Sequence, residues 1–209
     1  MNKVLKLMFL VLGFALLFFG AVLAYNRLQY LADVDLININ IQDHSRLHAY
    51  MQENATDNVA YTEYGIEDLP QAPNFTVYNQ LGELVQLHDF IGQPIILNFW
   101  ASWCPSCRQE SPYFEEIYQN FGDEFKMLKV VLLDGQRETF ESVDNFMSQN
   151  GYTFPLHFDT EGSASRAYGV SFIPITFFIN AGGYIAAHLQ GAASAEALET
   201  GMQILGIHP

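Results

Sequence analysis

Two cysteines, Cys104 and Cys107, are the only ones in the chain of 209 residues, and two residues, Pro105 and Ser106, separate them. They follow directly on the apolar run Ile95-Ile96-Leu97-Asn98-Phe99-Trp100, and the segment 110–119 behind them has helical character. If a helix begins at Pro105, Cys104 lies at its N-terminus, where free backbone N–H groups and the macrodipole favour a thiolate over a thiol. A thiolate is the nucleophile of disulfide exchange, and Cys107, one turn further in, is placed to attack the resulting mixed disulfide and release the product. Pro105 is compatible with that helix start, because its missing N–H would have had no partner there.

Two other readings of the pair are weaker. A CxxC is half of a structural zinc site, but such a site needs four ligands and the chain has no further cysteine. The spacing His44-Ser45-Arg46-Leu47-His48 suits a helical metal pair, although a solvated histidine pair explains it as well, so no metal is expected. A structural disulfide closing so short a loop would constrain the unfolded chain less than one closing a long loop. No cofactor is expected, since exchange chemistry needs only the two sulfurs.

The elements that must position this pair are legible in outline. Half of the residues are hydrophobic and 14% aromatic, which supplies a sizeable core. Segments 75–77 and 84–87 flank Asn79-Gln80-Leu81-Gly82 as a hairpin. Residues 95–100 read as a central strand covered on both faces and 127–133 as a second buried strand. Phe140, Val143, Phe146 and Met147 recur at helical spacing before the stop signal Asn150-Gly151. Segments 175–179 and 184–189 pair across Asn180-Ala181-Gly182-Gly183, and a last helix runs from Ser194 as N-cap to about Leu205. The order ββ-β-α-β-α-ββ-α predicts an α/β domain with a mixed central sheet flanked by helices.

The N-terminal third is different. Lys3 and Lys6 precede an uncharged run over 7–25, which at 1.5 Å per residue makes about 28 Å of helix, close to the hydrocarbon thickness. The reading is a cytoplasmic N-terminus at 1–6, a transmembrane anchor helix at 7–25, a membrane-proximal spacer at 26–69 and the catalytic domain at 70–209. The positive-inside rule then places the domain outside the cytoplasm. A cleaved signal peptide with Val22-Leu23-Ala24 as its site is the alternative, and it leaves the domain on the same side. Ile37, Ile39 and Ile41 alternate with Asn38 and Asn40 as in a short strand.

The formal net charge is −14, from 9 basic and 23 acidic residues, and from Pro70 onward 5 basic and 15 acidic residues leave about −10. So acidic a chain has no electrostatic footprint for nucleic acid.

The run Asn98-Phe99-Trp100-Ala101-Ser102-Trp103-Cys104-Pro105-Ser106-Cys107-Arg108-Gln109-Glu110 resembles the active-site signature of the TlpA/ResA/CcmG-like thioredoxins, and the resemblance extends from about Pro73 to Leu205. It implies a thioredoxin-like fold with an N-terminal β-hairpin extension. The family consists of membrane-anchored or exported thiol reductants. It therefore implies a reductant of disulfides in exported client proteins, with apocytochrome c or a methionine sulfoxide reductase among the candidates. Electrons would come from a membrane donor of CcdA-like type.

Val170-Ser171-Phe172-Ile173-Pro174-Ile175-Thr176-Phe177 is similar to the family's cis-proline segment, which makes Pro174 the cis residue and gives the backbone of Ile173 the substrate peptide to pair with. Glu110 matches the family's acidic residue three positions after the second cysteine. There it would raise the thiols and could relay a proton, or simply stand as a first-turn glutamate. Asn98 occupies the place where cytoplasmic thioredoxins carry a buried acid. Trp103 is expected to offer partners an apolar contact surface, or to pack as an ordinary aromatic. Arg108 would favour the Cys104 thiolate or remain solvated. A disulfide oxidant or isomerase would use the same motif. A peroxiredoxin-like peroxidase fits less well, because Ala101 stands where that family places a threonine; a redox-silent binding module is the remaining alternative.

Overall fold

The six residues Ile95–Trp100 form strand β4, and all six are buried, as a strand covered on both faces requires. The computed structural model describes residues 59–61 and 69–208. Around β4 it builds one eight-stranded sheet from β1 (Val59–Tyr61), β2 (Thr76–Asn79), β3 (Leu84–Gln86), β4, β5 (Lys126–Leu132), β6 (Leu156–Asp159), β7 (Ile175–Ile179) and β8 (Ile185–Gln190). The strand order is β1-β8-β7-β4-β5-β6-β2-β3. The β4–β5 and β5–β6 ladders are parallel, and β4–β7, β7–β8 and the outer pairs are antiparallel.

Among the described residues, a short 3-10 helix at Leu87–Phe90 and four α-helices complete the domain: α1 (Pro105–Phe121), α2 (Phe140–Asn150), α3 (Ser163–Ala167) and α4 (Ala195–Ile204). The side chains of β4 alternate between two cores. On one face Ile96 and Trp100 pack with Phe114 of α1, Val143 and Phe146 of α2, and Leu198 and Met202 of α4. On the other, Ile95, Leu97 and Phe99 pack with Leu87 and with Ala164, Ala167 and Tyr168 around α3. Helix α2 starts with a Thr139–Ser142 capping box and stops at Gly151 in the left-handed conformation. Ser194 caps α4 through the Ala197 N–H.

Both expected hairpins, the central strand and the last helix form where the sequence places them. Pro112 lies inside α1 without ending it. Four elements among the described residues are additional to the predicted order: β1, the 3-10 helix at Leu87–Phe90, β6 and α3. Strand β6 alternates Leu156 and Phe158 with His157 and Asp159, and this polar content hid it. All four residues are nonetheless buried, and the Asp159 carboxylate accepts the N–H groups of Ala164 and Ser165 at the start of α3. Helix α3 is only five residues long, too short to display a period. Strand β1 falls within the predicted spacer and pairs antiparallel with β8, Val59 opposite Leu189. Among the described residues no helix is long and apolar enough to cross a membrane. The apolar run 7–25, the alternating isoleucines 37–41 and the His44/His48 pair lie outside the described residues.

Candidate active site

Strand β4 ends at Trp100 and the chain turns through 101–104 into α1, so Cys104 becomes the N-cap of a 17-residue helix. The Cys107 N–H donates to Cys104 Sγ at 3.4 Å, aiming a backbone donor and the positive end of the helix at that sulfur. Cys104 Sγ also lies 3.7 Å from Ser106 Oγ and 3.8 Å from the carbonyl oxygen of Ile173. The Ile173–Pro174 bond is cis, as the family resemblance implied. Residues 104, 107, 173 and 174 are thus gathered at one place. A groove of about 460 Å³ opens beside Cys104, lined by Trp103, Leu133, Val170, Phe172 and Ile173. Trp103 and Phe172 stand at its rim, 37% and 47% exposed.

The loop that carries Cys104 is held from both sides. Glu138, in the loop between β5 and α2, accepts the Ser102 N–H at 2.6 Å and the Ser102 hydroxyl at 2.8 Å. Arg108, whose side chain is exposed, donates to the Ser102 carbonyl at 3.2 Å and lies over the Phe146 ring, so it also ties down the loop. The Arg137 guanidinium stacks on Trp103, 3.3 Å from the ring centroid.

Glu110 does not stand at the surface as a first-turn glutamate would. Counting from Cys107, it is one turn further along α1 and fully buried against the sheet. Its Oε1 accepts from Asn98 Nδ2 at 2.9 Å and its Oε2 from the Ala193 N–H at 2.9 Å. Asn98 Nδ2 also donates to Thr176 Oγ1 at 2.9 Å, and Asn98 Oδ1 accepts from Lys129 Nζ at 2.6 Å. Lys129 Nζ is 3.9 Å from Glu110 Oε1, and both side chains are wholly shielded from solvent. The cross-strand registers Asn98↔Lys129 and Asn98↔Thr176 place the three sheet residues in one row under α1.

Burial raises Glu110 above the ordinary carboxylate range, opposed by the Lys129 charge and by the Ala193 and Asn98 donors. Burial lowers Lys129 to about 8, against the attraction of Glu110 and of the two cysteines. Burial, and after it the contact with Cys104 and the charge of Glu110, pushes the Cys107 thiol well above its usual value.

Sequence reasoning picked out Cys104, Cys107, Glu110, Ile173, Pro174 and Trp103, but missed Lys129, Glu138 and Thr176. Lys129 did leave a signal: one lysine inside the apolar run 127–133 of a strand read as buried must find a partner. Glu138 left none, because its distance from Ser102 in the chain conceals the contact.

The AhpC/TSA family pattern matches residues 70–188. The chain is 36% identical over 129 residues to the thiol-disulfide oxidoreductase ResA of Bacillus thuringiensis subsp. konkukian (strain 97-27), covering 62% of this chain and 73% of that protein. Identity to ResA of Bacillus subtilis (strain 168) is 31% over 140 residues, 67% of this chain and 76% of that one. Among solved structures, StoA from Bacillus subtilis superposes with a TM-score of 0.54 at 32% identity, over 62% of this chain and 96% of that one. With more than half of its length matched and the cysteine pair in place, the chain belongs to the AhpC/TSA family and is a ResA-like thiol–disulfide oxidoreductase of thioredoxin-like fold.

Proposed function

We propose that the chain is an extracytoplasmic reductant of disulfides in exported client proteins, anchored through residues 7–25 with its N-terminus in the cytoplasm. Cys104 is the attacking thiolate and Cys107 the resolving thiol. The client peptide lies along the groove beside Trp103 and pairs with the backbone of Ile173 next to Pro174. Glu110 takes the proton that Cys107 must lose before it can attack. A CcdA-like membrane donor returns the disulfide to the dithiol, and a tether raises the effective concentration of the domain near such a donor.

The observation that carries the reductant direction is the buried carboxylate of Glu110 behind a buried Cys107. A strong oxidant such as DsbA is one because its reduced, thiolate form is stabilised. Here burial and an adjacent acid oppose negative charge on the second sulfur, which favours the disulfide and makes the dithiol ready to give up its electrons. The test is the reduction potential of the Cys104/Cys107 couple, equilibrated against dithiothreitol or glutathione. The expected value lies nearer thioredoxin, at about −270 mV, than DsbA, at about −120 mV. A potential close to that of DsbA would turn the proposal toward the oxidant or isomerase with the same motif.

A further inference from the structure

From Pro70 onward the chain carries 5 basic side chains against 15 acidic ones, and four of the five are engaged or distant. Lys129 is sealed in the core, Arg108 donates to the Ser102 carbonyl and Arg166 to the Glu161 carbonyl. Lys126 opens β5 opposite Ile95, at the end of the sheet away from the cysteines. The fifth, Arg137, is exposed yet held in place. Its backbone N–H donates to Asp134 Oδ1 at 2.7 Å, and the next residue, Glu138, is bonded to Ser102. Its guanidinium lies 3.3 Å from the centroid of the Trp103 ring, next to Cys104. A guanidinium has five N–H donors, and none of the described residues accepts a hydrogen bond from this one. Stacking on the indole has already restricted the side chain, so a ligand that takes these donors orders little more. The groove wall itself offers one charged side chain, Asp134, whose Oδ1 is taken by three backbone N–H groups.

We propose that Arg137 is a client-binding residue that takes a carboxylate carried close to the reacting disulfide, which makes disulfides flanked by acidic groups the favoured substrates. The proposal rests on the reading that the client lies in the groove beside Cys104. A chain that enters this groove over Trp103 meets the guanidinium stacked on that ring. The planar fork matches a carboxylate through two parallel hydrogen bonds, whereas the apolar wall does not discriminate between charges. The net charge of about −10 from Pro70 onward opposes an anion at long range. At physiological salt that opposition is screened beyond about 8 Å, so the cation in contact decides. The exchange itself is unaltered. The Cys104 thiolate attacks one client sulfur, the client S–S bond breaks, and its electron pair leaves on the other sulfur, which takes a proton. Cys107, losing its own proton, then displaces the first client sulfur from Cys104. The dithiol loses two electrons and the client gains them.

The test times oxidation of the reduced full chain, in detergent at neutral pH, by acid quench and thiol alkylation. Three small disulfides serve as probes: dithiodipropionate with its carboxylates, cystamine with its ammonium groups, and neutral hydroxyethyl disulfide. Each rate constant is divided by that of the same probe with dithiothreitol, which cancels the intrinsic reactivity of the probe. In the parent protein dithiodipropionate is expected to lead cystamine. Arg137→Met is expected to lower the ratio of dithiodipropionate to hydroxyethyl disulfide by about fivefold, the upper end for a solvent-exposed ion pair. Arg137→Lys, which keeps the charge but not the fork, should fall between the two, and high salt should shrink the difference. An Arg137→Met variant that slows all three probes alike overturns the proposal, because Arg137 then does no more than support Trp103. A parent preference for cystamine that Asp134→Asn removes overturns it as well. Cys104→Ser separates the two readings. If that variant consumes the probes at the parent rate, the placing of the client at Cys104 fails, and the role of Arg137 with it. If Cys104→Ser is inert and Arg137→Met leaves the ratio unchanged, only the role of Arg137 fails.

Discussion

Glu138 grips Ser102 with both carboxylate oxygens, taking the backbone N–H and the hydroxyl of a residue two positions before Cys104. The loop that delivers Glu138 is itself fixed, because Asp134 Oδ1 accepts the N–H groups of Gln136, Arg137 and Glu138. The turn leading to Cys104 is therefore braced from the end of the neighbouring strand. Glu138→Ala leaves the buried Ser102 groups without acceptors and is expected to destabilise the domain by about 2–3 kcal/mol, read from urea unfolding. The reaction of Cys104 with a model disulfide should slow in the same variant. Glu138→Gln, which can still accept one of the two bonds, should lose less of both.

Asn98 joins Lys129, Glu110 and Thr176 in one buried network. Asn98→Leu removes the amide and leaves an ammonium and a carboxylate short of partners in a dry core. The expected loss is about 3–5 kcal/mol, larger than that of an ordinary buried amide. A denaturation midpoint equal to that of the parent protein would show that the network adds nothing to the fold.

Acid sensitivity follows from the histidines. Burial lowers His157 and His188 to about 4, from an ordinary value of 6.5. Both are therefore neutral in the fold, while the unfolded chain takes up protons below about pH 6.5. Stability is fully present above that point and is lost as the pH falls toward 4, by up to about 3 kcal/mol per histidine. Glu110 has the opposite sign: raised in the fold, it lowers stability as the pH climbs from 4.5, its value when unperturbed, through the raised value. His157→Leu should flatten the acid side of the stability–pH curve by about one proton, measured as the urea midpoint between pH 4 and 7. An unchanged slope would contradict this assignment.

Helix α4 crosses the sheet at Gly201, where a Cβ would collide with the ring of Phe178. Gly201→Ala would add helix propensity elsewhere, but here it forces the helix or the ring to move. A loss of about 1–3 kcal/mol is expected from thermal unfolding. A gain in stability would mean that the two elements can separate without cost.

The two cysteines should separate cleanly by role. Cys107→Ala leaves the attacking sulfur and removes the resolving one, so mixed disulfides with clients should accumulate and survive non-reducing electrophoresis. Cys104→Ser should yield none. Capture through Cys107 in the Cys104→Ser variant would reverse the assignment.

Much of this protein was readable along the chain because its signals are local. The CxxC pair after an apolar strand names the chemistry within a dozen residues. The hairpins around 79–82 and 180–183, the stop at Gly151 and the Ser194 cap are set by short-range backbone preferences, which neighbouring residues display directly. The polar system beneath the thiols belongs to another order of information. Lys129, Asn98 and Thr176 are far apart in the chain and become neighbours only through the registers of β4 with β5 and with β7. Whether Glu110 faces water or the core depends on which side of α1 meets the sheet, and its environment in turn depends on that row. The sequence alone singled out the two sulfurs proposed to exchange electrons. Only the tertiary structure decided where the buried ammonium and carboxylate beneath them sit, because burial and pairing are properties of the packed sheet and not of any one segment.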